Sequence, residues 1–132
     1  MGFEEIPHTA DWAIRVWAED LAGLLVESAS GMYALSGAVQ AQDPRVTRRL
    51  EIESADAESM LVTFLSELLY YAEQENTAFD QFDIQLKDDR LKVDMQGAPL
   101  ISLSKAIKAV TYHNLSIERT ERGMEAVIVF DV

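Results

Sequence analysis

The chain has 132 residues, of which 48% are hydrophobic and 26% are charged, which predicts a single domain over residues 1–132 with no membrane span or signal peptide. It contains no cysteine, which excludes disulfides, thiolate zinc sites and cysteine nucleophiles and fits a cytoplasmic location. Its formal net charge of −12 disfavours direct, high-affinity binding of nucleic acid, because such a surface repels phosphates.

The first apolar run, residues 12–18, alternates well enough to predict a strand, with Trp12, Ile14 and Val16 on one face and Arg15 and Trp17 on the other. Asp20 follows it as a candidate N-cap of a helix, and Gly37 is a natural C-terminal stop. The apolar positions of this helix fall at helical spacing: Leu21, Leu24, Leu25, Ala29 and Met32. Residues 37–45 are interpreted as a connector.

A second strand and helix follow. Residues 46–53 alternate between apolar and polar side chains, which predicts another strand. Asp56 is the candidate cap of a second helix, and residues 72–76 are expected to fray that helix into a polar loop. Its predicted buried positions are Leu61, Phe64, Leu65, Leu68 and Ala72.

The remaining chain predicts mainly strands. Residues 82–95 alternate on both sides of the turn "KDDR", which is a hairpin pattern, and "QGAP" is expected to end it. Residues 101–117 are interpreted as a helical turn from Ser104 that runs into a strand. Residues 124–132 predict a closing strand. This order predicts an α+β fold, with two helices packed on a largely antiparallel β-sheet in one compact domain.

Two aspartates lie at the ends of apolar strands, Asp11 before the first and Asp131 in the last. If these strands are antiparallel neighbours, both carboxylates meet at one edge, together with the terminal carboxylate of Val132. Carboxylates that share a pocket repel one another unless a proton or cation lies between them, and Ca²⁺ or Mg²⁺ with oxygen ligands resolves this. The alternative is that both aspartates only mark strand ends. His8 taken alone is more often a hydrogen-bonded structural group.

Four stretches resemble the archease family in order along the chain: "HTADWAIRVWAEDLAGLLVESASGMYAL", "LLYYAEQENTAF", "IKAVTYHNLSI" and "VIVFDV". The resemblance runs from His8 to Val132. It implies a small acidic protein that activates a GTP-dependent tRNA-splicing RNA ligase by promoting its guanylylation and multiple turnover. Such a protein is an accessory factor and not itself an enzyme.

The resemblance also implies site residues. A divalent metal, usually Ca²⁺ in the family, is expected to be held by Asp11, Asp131 and Val132. His8 and Thr9 are expected to support this edge. Lys108 matches a functionally important lysine, for which a contact with the ligase or with a phosphate of GTP is the expectation. Many family members carry a glutamate two residues before that lysine, where this chain has Ala106.

Two other functions remain open from the sequence. One is a stand-alone metal-dependent phosphohydrolase that uses Asp11 and Asp131, which activity on nucleotides or phosphate esters would reveal. The other is an acidic chaperone or adaptor that binds basic proteins through charge, which salt-sensitive binding without selectivity for the ligase would reveal.

Overall fold

The computed structural model describes residues 1–6 and 12–132. Within them the chain forms two helices and nine strands, beginning with a short strand that the sequence pattern did not predict. The helices are α1 (Leu21–Ser36) and α2 (Ala57–Glu75). The strands are β1 (Gly2–Ile6), β2 (Trp12–Ala18), β3 (Val39–Gln40), β4 (Val46–Glu53), β5 (Thr77–Lys87), β6 (Arg90–Ser102), β7 (Ala109–Val110), β8 (Glu118–Thr120) and β9 (Gly123–Asp131).

The strands of the described residues form two antiparallel sheets. In the first sheet the order is β1–β2–β9–β7, and β8 also pairs with β9. In the second sheet β6 pairs with β4, with β5 and, near its end, with β3. Both helices pack on strands and on each other. The predicted α+β fold is confirmed, with the antiparallel strands divided between two sheets.

Helix α1 begins and ends where the sequence predicts. The Asp20 carboxylate accepts a hydrogen bond from the Gly23 N–H at 2.8 Å. Gly37 takes the left-handed conformation, with φ of 66°, that commonly ends a helix. One face of the helix is buried in the core through Leu24, Leu25, Ala29 and Met32.

Helix α2 is longer than predicted. Its N-cap is Asp56, as predicted, and its buried face includes Leu61, Phe64, Leu65 and Leu68. Residues 72–75 do not fray; they continue the helix to Glu75, and Asn76 ends it in the left-handed conformation with φ of 52°. The Glu75 carboxylate pairs with Arg48 of β4 at 2.7 Å, which holds the last turn against the sheet. Neither described helix is long and apolar enough to cross a membrane.

We expect Asp56→Ala to lower the free energy of unfolding by about 1 kcal/mol, the usual effect of losing an N-cap. The Asp56 carboxylate accepts hydrogen bonds from the Ser59 N–H at 2.7 Å and from the Ser59 hydroxyl at 3.1 Å. Urea unfolding of the variant measures the loss. Asp56→Ser, which keeps a capping oxygen, is the control, and equal losses in both variants would contradict a capping role.

Strands β5 and β6 form the predicted hairpin. Leu86 pairs with Leu91 across it, and the turn holds Asp88 in the left-handed conformation with φ of 57°. The inward positions of β6 are almost completely buried: Leu91, Val93 and Met95. The alternating pattern therefore predicts both the strands and the face that enters the core.

Residues 96–99 continue β6, so the predicted break at "QGAP" is wrong. Gly97 pairs with both β4 and β5. Pro99 follows the point where pairing with β4 stops, and its carbonyl accepts a hydrogen bond from the Ala41 N–H at 2.8 Å. A proline is tolerated in a strand where the ladder needs no N–H. Gly97 and Pro99 interrupt the sequence pattern without interrupting the strand.

Residues 103–117 are mostly irregular, so the helical turn predicted from Ser104 and the strand predicted after it are wrong. Pairing in this segment is limited to Ala109–Val110, which form β7. Thr111 donates to the Val129 carbonyl through its N–H at 3.0 Å and through its hydroxyl at 2.9 Å. Such side-chain bonds satisfy the backbone in place of a longer ladder, and hydrophobic alternation does not reveal them.

Tyr33 joins α1 to β5 through its hydroxyl, which accepts a hydrogen bond from the Phe79 N–H at 3.2 Å. Burial, which disfavours the phenolate, raises the pKa of Tyr33 from its ordinary value of 10.0 to about 12. Between these values the unfolded chain loses the phenol proton while the folded chain keeps it.

The free energy of unfolding is therefore expected to fall as pH rises from 10.0 to about 12, through Tyr33 alone by about 1.4 kcal/mol per pH unit. Other groups titrate in the same range, so the measurement is the difference between the parent and Tyr33→Phe in urea unfolding at several pH values. The variant should show the shallower decline. Parallel declines would place the Tyr33 pKa near its ordinary value.

Candidate functional site

Strands β2, β9 and β7 lie side by side where β2 begins and β9 ends. Trp12 pairs with Phe130, and Phe130 pairs with Val110 on its other side. Phe130 is completely buried and Val110 nearly so, so apolar packing holds the three strands together at this end. The first apolar run and the closing strand are antiparallel neighbours, as β2 and β9, which meets the condition on which a shared edge for Asp11 and Asp131 depends.

Asp131 and Lys108 are joined through the main chain at this end of the sheet. The Lys108 N–H donates a hydrogen bond to the Asp131 carbonyl at 2.8 Å. Both residues are exposed, whereas Val132 is half-buried against the core. The end of β9 and the residue just before β7 therefore bring together Lys108 and the C-terminal pair Asp131 and Val132, which were all predicted for the site.

Lys105 is a second cation at the same end, and the sequence analysis missed it. Its Nζ lies 4.3 Å from the centroid of a Trp12 ring, a cation–π distance. The main-chain N–H of Lys105 donates to the Ser36 carbonyl at 3.1 Å, which connects this part of the chain to α1. The sequence contains one signal that could have indicated Lys105. Residues 95–117 carry lysines but no aspartate or glutamate, although the whole chain has a net charge of −12.

The predicted metal ligands lie only partly within the part of the chain that the structure describes. Asp131 and Val132 do, whereas His8, Thr9 and Asp11 fall in residues 7–11, outside it. Among residues 1–6 and 12–132, no three histidine, aspartate or glutamate side chains are close enough to hold a metal ion. Asp131 offers a hard oxygen donor of the kind that Ca²⁺ binds, and the metal site itself stays a prediction.

A cleft of about 570 Å³ opens beside Lys108. Its walls are the C-terminal parts of α1 and α2 and two short stretches, residues 100–103 and 106–108. Ala106, where the family resemblance implies a glutamate, is exposed and lines this cleft. The cleft therefore has no carboxylate at that position.

Comparison with known proteins identifies the family. The family model of the Archease protein family (MTH1598/TM1083) matches residues 3–132. The protein archease of Methanopyrus kandleri is 34% identical over 100% of both chains. The protein archease of Thermococcus gammatolerans is 30% identical over 92% of this chain and 91% of its own.

Solved structures share the fold. The solution structure of protein 1598 from Methanobacterium thermoautotrophicum has a TM-score of 0.72 and 26% identity, and the match covers 99% of each chain. The crystal structure of TM1083 from Thermotoga maritima, described as an archease and possible chaperone, has a TM-score of 0.71 and 22% identity over 98% of this chain and 96% of its own. The second likeness supports the fold alone. With the family model matching nearly every residue, the chain belongs to the archease family.

Proposed function

We propose that this archease activates a GTP-dependent tRNA-splicing RNA ligase in the cytoplasm, by promoting the guanylylation and multiple turnover of that enzyme. Archeases are accessory proteins, and the chain is not itself an enzyme. The observation that carries the proposal is the hydrogen bond that joins Lys108 to Asp131. It brings two residues with expected family roles to one exposed end of the first sheet.

The proposal includes a divalent-metal site, most simply for Ca²⁺, with the Asp11 and Asp131 carboxylates as ligands. Asp11 is bonded to Trp12, and Trp12 pairs with Phe130, the residue before Asp131. This pairing supports a shared site. A bound cation would offset the repulsion between the two carboxylates. The other predicted contributors are Val132, His8 and Thr9.

The charge distribution supports a protein partner in preference to RNA. Most lysines and arginines are neutralised by ion pairs within the described residues: Arg15, Arg45, Arg48, Arg49, Arg90, Lys92 and Arg122. The net charge of −12 would speed the encounter with a basic surface. An enzyme that binds RNA presents such a surface.

Multiple-turnover ligation tests the proposal directly. The purified ligase of the same organism would be supplied with GTP and cleaved tRNA, with and without the archease at substoichiometric amounts. We expect the archease to raise the rate while showing no ligation, nucleotidyl transfer or phosphohydrolase activity alone. An unchanged rate over a broad range of archease concentration would contradict the proposal.

Lys108→Ala is expected to lower activation of the ligase by about tenfold or more, the effect of losing one strong polar contact. The residue is exposed, and its hydrogen bond to Asp131 uses the main chain, which alanine keeps. Thermal melting should therefore be nearly unchanged. Lys87→Ala on the β5–β6 hairpin is the matched control. A loss of stability in proportion to the lost activity would indicate a structural role instead.

A further inference from the structure

The cleft beside Lys108 has a mainly apolar lining. Met32 and Ile107 are buried at its base. Ile101 and Leu103 lie at its opening, 68% and 38% exposed. Large apolar side chains that cluster around a concavity are typical of binding sites, whereas scattered ones are not. Its volume of about 570 Å³ can accept a few apolar side chains from another molecule.

The walls of the cleft are held by backbone hydrogen bonds, so the cleft is largely formed before anything binds. The Leu100 N–H donates to the Asn76 main-chain carbonyl at 2.7 Å, and the side-chain amide of Asn76 donates to the Leu100 carbonyl at 3.0 Å. The main-chain N–H of Lys105 donates to the Ser36 carbonyl, which connects the chain just before the lining residues 106–108 to α1. A preformed cleft avoids part of the entropic cost of binding.

Two charged residues line the cleft, Glu73 on α2 and Lys108 after the irregular loop. Both are exposed, and they form no ion pair with each other in the described part of the chain. An occupant that satisfies both would carry a cation on the side of Glu73 and an anion on the side of Lys108. Its centre would be apolar.

We infer that this cleft receives an apolar segment of the ligase, flanked by a lysine or arginine that faces Glu73. The inference rests on the proposed function and adds a second contact to it. Lys108 borders the cleft and is also hydrogen-bonded to Asp131 at the end of β9. A partner that contacts Lys108 can therefore reach both the cleft and the end of β9. A second copy of this chain is disfavoured as the occupant, because each copy carries a net charge of −12.

Binding of the purified ligase, measured by calorimetry, tests the inference with two variants that place a carboxylate in the cleft. Leu103→Asp and Ile101→Asp change positions that are exposed in the free protein, so both should fold. We expect each to weaken binding by about tenfold or more, because a desolvated, unpaired carboxylate opposes an apolar contact. The matched control is Val39→Asp, a half-exposed apolar residue outside the cleft.

The outcomes separate the two proposals. If the parent binds and activates the ligase and all three variants bind equally, the cleft inference is wrong and the proposed function stands. If the parent does not bind, both fail. If the parent self-associates in ultracentrifugation and Leu103→Asp abolishes this, the occupant is a second copy and the inference is overturned.

A photo-crosslinker tests the chemistry of the occupant. Benzoylphenylalanine in place of Ile101, whose side chain lies at the opening of the cleft, should crosslink to the ligase. Mass spectrometry of the crosslinked peptide is expected to find apolar residues next to a lysine or arginine. A crosslink to RNA, or to a ligase segment without apolar residues, would overturn the inference.

Discussion

Gly97→Ala is expected to lower the free energy of unfolding by roughly 3–5 kcal/mol, a large part of the 5–15 kcal/mol that stabilises a typical domain. Gly97 lies in β6 with β4 on one side and β5 on the other. A Cβ added there would overlap the Ala78 carbonyl oxygen and lie 2.8 Å from the Ala78 carbonyl carbon and from Phe79 Cα. All three atoms belong to the backbone, so no side-chain rotation can relieve the overlap.

The close approach has a structural cause. The register of β5 against β6 shifts between Phe79 and Gln81, so β5 has an irregularity beside Gly97. A bulge bends its strand and can bring it close to its neighbour, and glycine accommodates this at no steric cost. Alanine would require β5 to move away, which would disturb the adjoining buried residues Ala78 and Phe79.

Gly23→Ala is the matched control for this prediction. A Cβ at Gly23 would lie 3.1 Å from the end of the Met1 side chain, from the Asp20 carboxylate that caps α1 and from Ala18 Cβ; these are side-chain atoms, and a shift of a few tenths of an ångström relieves the contact. Gly23 lies in the first turn of α1, where alanine also has the higher helix propensity. Its stability should stay within about 1 kcal/mol of the parent. Urea unfolding compares the two variants, and equal effects would contradict a backbone overlap at Gly97.

The sequence predicts elements that bury one face. The stripes of α1 and α2 and the alternation of the β5–β6 hairpin follow from such burial, the capping aspartates follow from the unpaired N–H groups of each first helical turn, and the structure confirms them. Prediction fails where another part of the molecule satisfies the backbone. Strand β1 shows no alternation in "GFEEI" and exists by pairing with β2, and residues 103–117 are held by bonds to α1 and β9.

The site could be predicted in part for a related reason. Asp131 marks a strand end that the sequence pattern predicts, whereas the pairing of β2 with β9 joins distant parts of the chain and was only a condition until the structure showed it. Lys108 came from the family resemblance alone, because no local pattern places its N–H on the Asp131 carbonyl. The cleft could not be predicted, since its walls come from four separate segments and its apolar residues interrupt no periodicity.

Asp131→Asn is expected to weaken Ca²⁺ binding by at least about tenfold without destabilising the metal-free protein. The proposed site depends on carboxylate oxygens, and an amide supplies one weaker donor in place of a charged group. Asp131 is exposed, and its main-chain carbonyl keeps the hydrogen bond from Lys108 whatever the side chain is. In the proposed site, removing one of the two carboxylates would also relieve their repulsion when no ion is bound.

Calorimetric titration of Ca²⁺ into the parent, Asp131→Asn and Asp11→Asn measures the effect, and Asp83→Asn on β5 is the control with the same change in charge. A ligand that binds only the folded state stabilises a protein. Ca²⁺ at about 100 times its Kd should therefore stabilise the parent and the control by about 2.7 kcal/mol. The two site variants should gain much less. Equal binding by all four proteins would place any ion elsewhere and leave Asp11 and Asp131 as polar residues that mark strand ends.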